Sequence, residues 1–105
     1  MPFVFAGLQT IICIKPSDLI SRIIEKQGCF EKKIVNNVIK AMKAHPTAMF
    51  LDVGSNIGMY SVLVAAMRRK VIAVDADPRN LAYIRQSLGI TKTTDYVELI
   101  YNSIR

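Results

Sequence analysis

Phe50-Leu-Asp-Val-Gly-Ser-Asn-Ile-Gly-Met-Tyr-Ser61, followed by Lys70-Val-Ile-Ala-Val-Asp-Ala-Asp-Pro78, decides the fold. The run Ala48–Val53 is apolar apart from Asp52, near its end. A run of this kind suits a strand buried on both faces, as in a parallel sheet. A turn with two glycines follows, and residues 57–69 place Ile57, Tyr60, Leu63, Val64 and Met67 at helical spacing. Val71–Val74 is a second apolar strand and ends in Asp75. Asp77-Pro78 is a strong helix start, with Asp as N-cap and Pro at the first helical position. Leu81, Ile84 and Leu88 supply that helix's core stripe, and Gly89 offers a stop. Residues 96–101 read as a third strand.

Strand, helix, strand, helix, strand predicts an α/β fold, a β-α-β-α-β half of a doubly wound, Rossmann-like sheet. Upstream, residues 3–6 and 10–14 read as short strands split by Gly7. Pro16-Ser17-Asp18 offers a helix N-cap, and Leu19, Ile20, Ile23 and Ile24 recur at helical spacing up to a stop at Gly28. Phe30, Ile34, Val35, Val38, Ile39 and Met42 mark a second amphipathic helix, ended by His45-Pro46. The expected organisation is an N-terminal lead-in over 1–47, whose helices rest on the sheet, and a nucleoside-cofactor core over 48–105.

The bulk composition agrees with a globular chain. Its 105 residues are 51% hydrophobic, enough for one domain with a core and too apolar for disorder. The formal charge of +6 admits an anionic partner. The basic residues are scattered, though, and no interleaved aromatics offer a base-stacking surface, so nucleic acid is not the expected partner. The tightest cluster, Arg68-Arg69-Lys70, reads as cations complementing the dipole at their own helix end. Cys13 and Cys29 fit neither a metal spacing nor a disulfide framework and read as buried apolar thiols; no metal is expected. The hydrophobic N-terminus lacks a basic n-region and is too short to span a bilayer, so the expected setting is cytoplasmic.

Ligands of such sheets bind beyond the carboxyl ends of the strands, where the turn after Val53 sits. Gly54 can take backbone angles closed to other residues and leaves room for a ligand. Gly58 opens the helix. Asp75, at the end of the next strand, can accept both hydroxyls of a ribose. Two cofactor classes share this layout. A dinucleotide fold wants G-x-G-x-x-G, so that a pyrophosphate can sit against the helix N-terminus. Counted from Gly54, Asn56 and Met59 stand where the second and third glycines belong. The pattern present is D-x-G-x-N-x-G from Asp52. With acids at Asp52, Asp75 and Asp77, the site suits a positively charged nucleoside, and S-adenosylmethionine carries an ammonium and a sulfonium. Asn56 can cap the helix as well as touch ligand, Asp77 fits an N-cap as well as a ligand contact, and Tyr60 fits the core. Glu98 points outward and His45 caps a helix end.

The same residues carry a family likeness. Phe50–Ser61 together with Val71-Ile-Ala-Val-Asp-Ala-Asp-Pro-Arg-Asn80 resembles the S-adenosylmethionine-binding core of the FkbM-type, class I methyltransferases. Gly28-Cys-Phe-Glu31 and the helix to Lys43 resemble the lead-in of its animal members, and the likeness covers roughly residues 12–105. The glycine motif is shared by most class I methyltransferases; Asn56-Ile57-Gly58 with Tyr60-Ser61 makes the resemblance moderately specific to this family. The resemblance implies that Asp52, Gly54, Ser55, Asn56 and Gly58 line the methionine end of the cofactor. It implies that Asp75 holds the ribose and that Ala76-Asp77 lies near the ribose or adenine. It further implies methyl transfer to an oxygen of a small molecule or sugar by in-line displacement. The family pattern continues through further strands that carry acceptor-side residues, whereas this sequence stops at Arg105. The expectation is a truncated form with half of a cofactor site and no assignable catalytic residue. The strand at 48–53 then becomes a sheet edge, open to self-association, to an inactive interaction role, or to pairing with the N-terminal strands. A dinucleotide-binding oxidoreductase fragment is the remaining alternative.

Overall fold

A computed structural model describes residues 2–5, 8–15, 19–27 and 32–102. Among them are five strands and four α-helices: β1 (Pro2–Phe5), β2 (Leu8–Ile11), α1 (Leu19–Gln27), α2 (Lys32–Ala44), β3 (Phe50–Val53), α3 (Met59–Ala66), β4 (Val71–Asp75), α4 (Pro78–Thr91) and β5 (Val97–Tyr101). The last three strands form a parallel sheet in the order β3-β4-β5, with Phe50 beside Val71 and Val71 beside Val97. This is a small mixed α/β fold, compatible with part of a Rossmann-like sheet. The expected N-cap at 16–18, the stop at Gly28, the break at Gly7, and the positions of Cys29 and Phe30 lie outside the described residues.

α3 lies at the centre. Its sequence is apolar on nearly every side, as a helix enclosed all round must be. Val62 and Ala65 pack on Leu81, Ile84 and Leu88 of α4. Val64 meets Val71 and Ala73 of the sheet together with Met42 of α2. Met59 and Leu63 meet Ile12, Ile24, Val35 and Ile39 from the lead-in. The lead-in helices therefore rest mostly on α3 and on the segment after β2. The expectation that they cover the sheet holds only where Met42 and Val38 reach it.

Several boundaries differ from the sequence expectation. β2 ends at Ile11 rather than residue 14, and Cys13 donates its N–H to Ser87 Oγ on α4 at 2.8 Å. β1 and β2 pair antiparallel as a separate hairpin against α3 and α4, not on the edge of β3. Ile57 is buried but belongs to the turn, since α3 begins at Met59. α4 runs through Gly89 to Thr91 and closes on Lys92 in the left-handed region, because the Lys92 and Thr93 N–H groups reach back to Gly89 and Leu88. Cys13 is a free, half-buried thiol.

Arg69 acts on a different helix from the one expected. Its guanidinium donates to the carbonyls of Met42, His45 and Ala48 at 2.6, 2.6 and 2.8 Å, collecting the open C-terminal end of α2. Arg68 donates to Tyr96 Oη and lies over its ring.

α2, α3 and α4 pack on one face of the sheet, the face carrying Phe50, Val71, Ala73, Val97 and Leu99, and α1 rests on α2 and α3. By strand alternation Leu51, Val53, Ile72, Val74, Glu98 and Ile100 point the other way. Leu51, Val53 and Ile100 are exposed there. The expectation of β3 buried on both faces is thus corrected: among the described residues nothing packs on its second face. Among the same residues no helix is long and apolar enough to cross a membrane.

Candidate functional site

The turn from β3 into α3 stands beyond the carboxyl ends of β3 and β4. Gly54, Asn56 and Gly58 have φ of 73°, 54° and 89°. Three left-handed residues in five reverse the chain within one tight loop. Ser55 is buried, and its hydroxyl donates to the Asp52 carbonyl at 2.7 Å and reaches the Val74 carbonyl at 3.2 Å. Every N–H of the turn is donated inside the chain. Gly54 and Ser55 donate to the Val74 carbonyl, and Gly58 donates to that of Ser55. Asn56 donates to Asp75 Oδ1 at 3.0 Å, and Ile57 to the Asn56 side-chain oxygen at 2.8 Å.

The two glycines serve different ends. A Cβ on Gly54 meets nothing within 4 Å, so its outer side is open space. A Cβ on Gly58 meets Ile84, so this glycine lets α3 and α4 approach closely, in place of the expected ligand approach to the helix's first turn.

Asp52 is buried behind the turn. It accepts the Ser61 hydroxyl at 2.6 Å and also the Ser61 backbone N–H. Ser61 is in the first turn of α3, whose N-cap residue Gly58 has no side chain to offer, so Asp52 caps the helix from the strand. Burial pushes the Asp52 carboxyl above the usual carboxylate range; the Ser61 hydrogen bonds hold it partly back, and the charge of Asp75 adds to the rise.

Asp75 ties the two turns together. Its Oδ1 takes the Asn56 N–H, and its Oδ2 takes the Asp77 N–H at 3.0 Å and the Asn80 amide at 2.9 Å. A carboxylate oxygen has about two acceptor positions, so Oδ2 is filled and Oδ1 keeps one. That narrows the expected grip on both ribose hydroxyls to a single oxygen. Asn80 is buried, and its own oxygen receives Lys15 Nζ at 3.4 Å. Asp77 is the N-cap of α4, accepting the Arg79 N–H at 2.9 Å and pairing with its guanidinium at 3.0 Å. The Arg79 side chain, then its backbone N–H, hold the Asp77 carboxyl below the usual range.

Two recesses meet at Gly54. One, of about 380 Å³, is lined by Gly54, Asp75, Ala76, Asp77 and Asn102 together with Val53 and Val74. The other, of about 140 Å³, is lined by Gly54, Ser55, Asn56 and Tyr60, with Ile20 and Met59 as its apolar wall. Of the residues singled out from sequence, Asp52 and Gly58 line neither recess; they hold the turn from behind. Asn56 folds its side chain onto the turn and does not cap α3. Sequence reasoning assigned no role to Asn80 or Ser61. A signal existed for Ser61, the one serine inside the apolar run Met59–Ala66, since a buried polar group needs a partner.

No protein-family model matches this chain, and no solved structure matches it. The functional reading therefore rests on the residues and their geometry.

Proposed function

We propose that the paired recesses at Gly54 hold S-adenosylmethionine, and that the chain carries the cofactor-binding core of a FkbM-type, class I methyltransferase. The observation that carries this reading is the Asp75 carboxylate, fixed by three donors at the end of β4 and facing the open side of Gly54 across one recess. A ribose hydroxyl finds an acceptor in Oδ1, and the adenine lies toward Ala76 and Asp77. The methionine end extends past Gly54 toward Asn56 and Tyr60. The volume of the larger recess falls within the roughly 300–1,000 Å³ of small-molecule sites.

The alternative, a dinucleotide, is less well served. A pyrophosphate is held by backbone N–H groups at a helix N-terminus, and from Gly54 to Gly58 those groups are already donated within the chain. What the mouth presents instead is acceptors, at Asp75 and Asp77. A cationic nucleoside with hydroxyl donors complements them.

Methyl transfer to an oxygen of a small molecule or sugar follows from the family likeness alone, and no residue is assigned to the transfer step. Calorimetric titration with S-adenosylhomocysteine, run beside NAD, tests the binding. The expected result is saturable binding of the first, absent for NAD and abolished by Asp75→Ala. Binding of NAD alone, or of neither, refutes the reading.

A further inference from the structure

Asp75 is a buried carboxylate, and among the described residues no cation pairs with it directly. A charge taken out of water is costly unless it is hydrogen-bonded and balanced by an opposite charge nearby. Its three donors are two backbone N–H groups and the Asn80 amide, all neutral. The positive charge stands one residue further on. Lys15 Nζ donates to the oxygen of the same Asn80 amide whose nitrogen donates to Asp75 Oδ2. The amide lies between a cation and an anion, its oxygen toward the first and its nitrogen toward the second. In that order each charge polarises the amide so as to strengthen the other contact. The 3.4 Å from Lys15 to Asn80 is long for a hydrogen bond, but a charge attracts an aligned dipole beyond that range.

Lys15 belongs to the lead-in, and its backbone is fixed. Its N–H donates to the buried Ser21 Oγ of α1 at 2.9 Å, and the Cys13 N–H donates to the buried Ser87 Oγ of α4 at 2.8 Å. Ile12 is fully buried against Ile24 and Val35. Residues 12–15 are therefore a strap tied to α1 and α4, and the Lys15 side chain starts from a set position. Its charge also reaches the mouth of the larger recess: Arg79 is the main cause of the lowered Asp77 carboxyl, and Lys15 adds to it.

We propose that Lys15 is a positioning residue of the cofactor site, one that fixes the Asp75 carboxylate through Asn80 and keeps Oδ1 available to a ribose hydroxyl. The inference rests on the reading that the recesses at Gly54 hold a nucleoside. A lysine in direct contact with Asp75 would compete for the acceptor position that the ligand needs. Acting through Asn80, the same charge balances the carboxylate from behind and leaves the one free position of Oδ1 open. The lead-in is then a working part of the site. It supplies the balancing charge at Lys15 and, at Ile20, an apolar wall of the smaller recess.

Lys15→Met tests it, beside Lys40→Met, which removes the same charge from the exposed side of α2. The readouts are calorimetric titration with S-adenosylhomocysteine and, in the ligand-free chain, amide exchange at Asn56, whose N–H is held by Asp75 Oδ1. Lys15→Met should weaken the ligand about tenfold and speed exchange at Asn56 by about as much. Lys15→Arg should restore most of both, and Lys40→Met should change neither. In an Asn80→Ala background, Lys15→Met should add no further loss, because its route to Asp75 is gone. If Lys15→Met does not melt cooperatively, Lys15→Gln, neutral and suited to a half-buried position, replaces it. Unchanged binding and exchange overturn the proposal, and so does a loss that adds in full to that of Asn80→Ala. Weakened binding with unchanged exchange overturns the route through Asn80. A parent chain that binds no S-adenosylhomocysteine refutes the cofactor reading itself, while exchange at Asn56 still decides whether Lys15 fixes Asp75.

Discussion

Ile84 stands where a side chain on Gly58 has to go: its Cγ1 lies 2.6 Å from the position of a Cβ on that glycine, and Cδ1 and Cγ2 lie at 3.2 and 3.3 Å. Ile84 is fully buried between α3 and α4 and has nowhere to retreat. Gly58→Ala therefore combines overpacking with a left-handed backbone, and the expected cost is about 3 kcal/mol. Gly54 shares the left-handed backbone but has open space around it, so Gly54→Ala should cost only about 1–2 kcal/mol. Urea denaturation of the two variants separates the steric part from the conformational one. Equal losses refute the packing role of Gly58.

The open side of Gly54 carries a second expectation. A methyl group there enters the space where the two recesses meet. Gly54→Ala should weaken S-adenosylhomocysteine by about tenfold or more, roughly 1.4 kcal/mol, in a variant that still melts cooperatively. Titration calorimetry reads this directly. Unchanged affinity places the ligand elsewhere.

Asn80 is expected to matter through Asp75. Its amide is one of the two donors on Oδ2, and Asn80→Ala leaves that oxygen with the Asp77 N–H alone. The buried carboxylate then loses part of its hydrogen bonding, at about 1–2 kcal/mol. The turn should also loosen, since Asp75 Oδ1 holds the Asn56 N–H. Denaturation together with amide exchange at Asn56 checks both effects. A stability loss with no faster exchange at Asn56 refutes the coupling.

The parallel sheet and its two crossover helices were legible because each carries a local signal: the apolar runs at β3 and β4, the Asp77-Pro78 start, and the stripe of Leu81, Ile84 and Leu88. The turn was legible because Gly54 and Gly58 flank a strand-to-helix reversal. What escaped was tertiary. Nothing local says that Asp52 turns inward to cap α3, or that Arg69 reaches a different helix. Gly58 reads as a place for ligand until Ile84 is set against it. Gly89 reads as a stop, yet a glycine within a helix costs only about 1 kcal/mol, and Lys92 takes the left-handed position instead. The bare face of β3 could not be foreseen either, because an apolar run predicts burial without naming what does the burying.

Arg69 provides a test of the lead-in. Its guanidinium donates to the carbonyls of Met42, His45 and Ala48 in one fork. Arg69→Ala should destabilise by about 1–3 kcal/mol, in the range of hydrogen bonds from a charged donor. Arg69→Lys should recover only part, since an ammonium lacks the planar fork. Circular dichroism during urea titration, with amide exchange at the C-terminal turn of α2, reads the effect. Full recovery by Lys refutes the fork.

Asp52 makes stability depend on pH with a defined sign. Its folded pKa is raised by burial, with the Asp75 charge adding to the rise and the Ser61 hydrogen bonds opposing it. An unfolded Asp titrates near 3.9. Between that value and the folded pKa, the native chain holds a proton that the unfolded chain has released. The native state is therefore favoured most in acid, and this contribution declines as pH rises from about 4 through the folded pKa, then levels off. Asp52→Asn removes the titration while keeping an oxygen for Ser61. The stability of the parent relative to this variant should fall over that window and be flat above it, whatever the fixed offset from the changed hydrogen bonding. Parallel urea titrations at stepped pH measure the difference. A parent that gains on the variant as pH rises means that Asp52 is favoured as the anion, through a donor stronger than Ser61, and that its cost of burial is not the dominant effect.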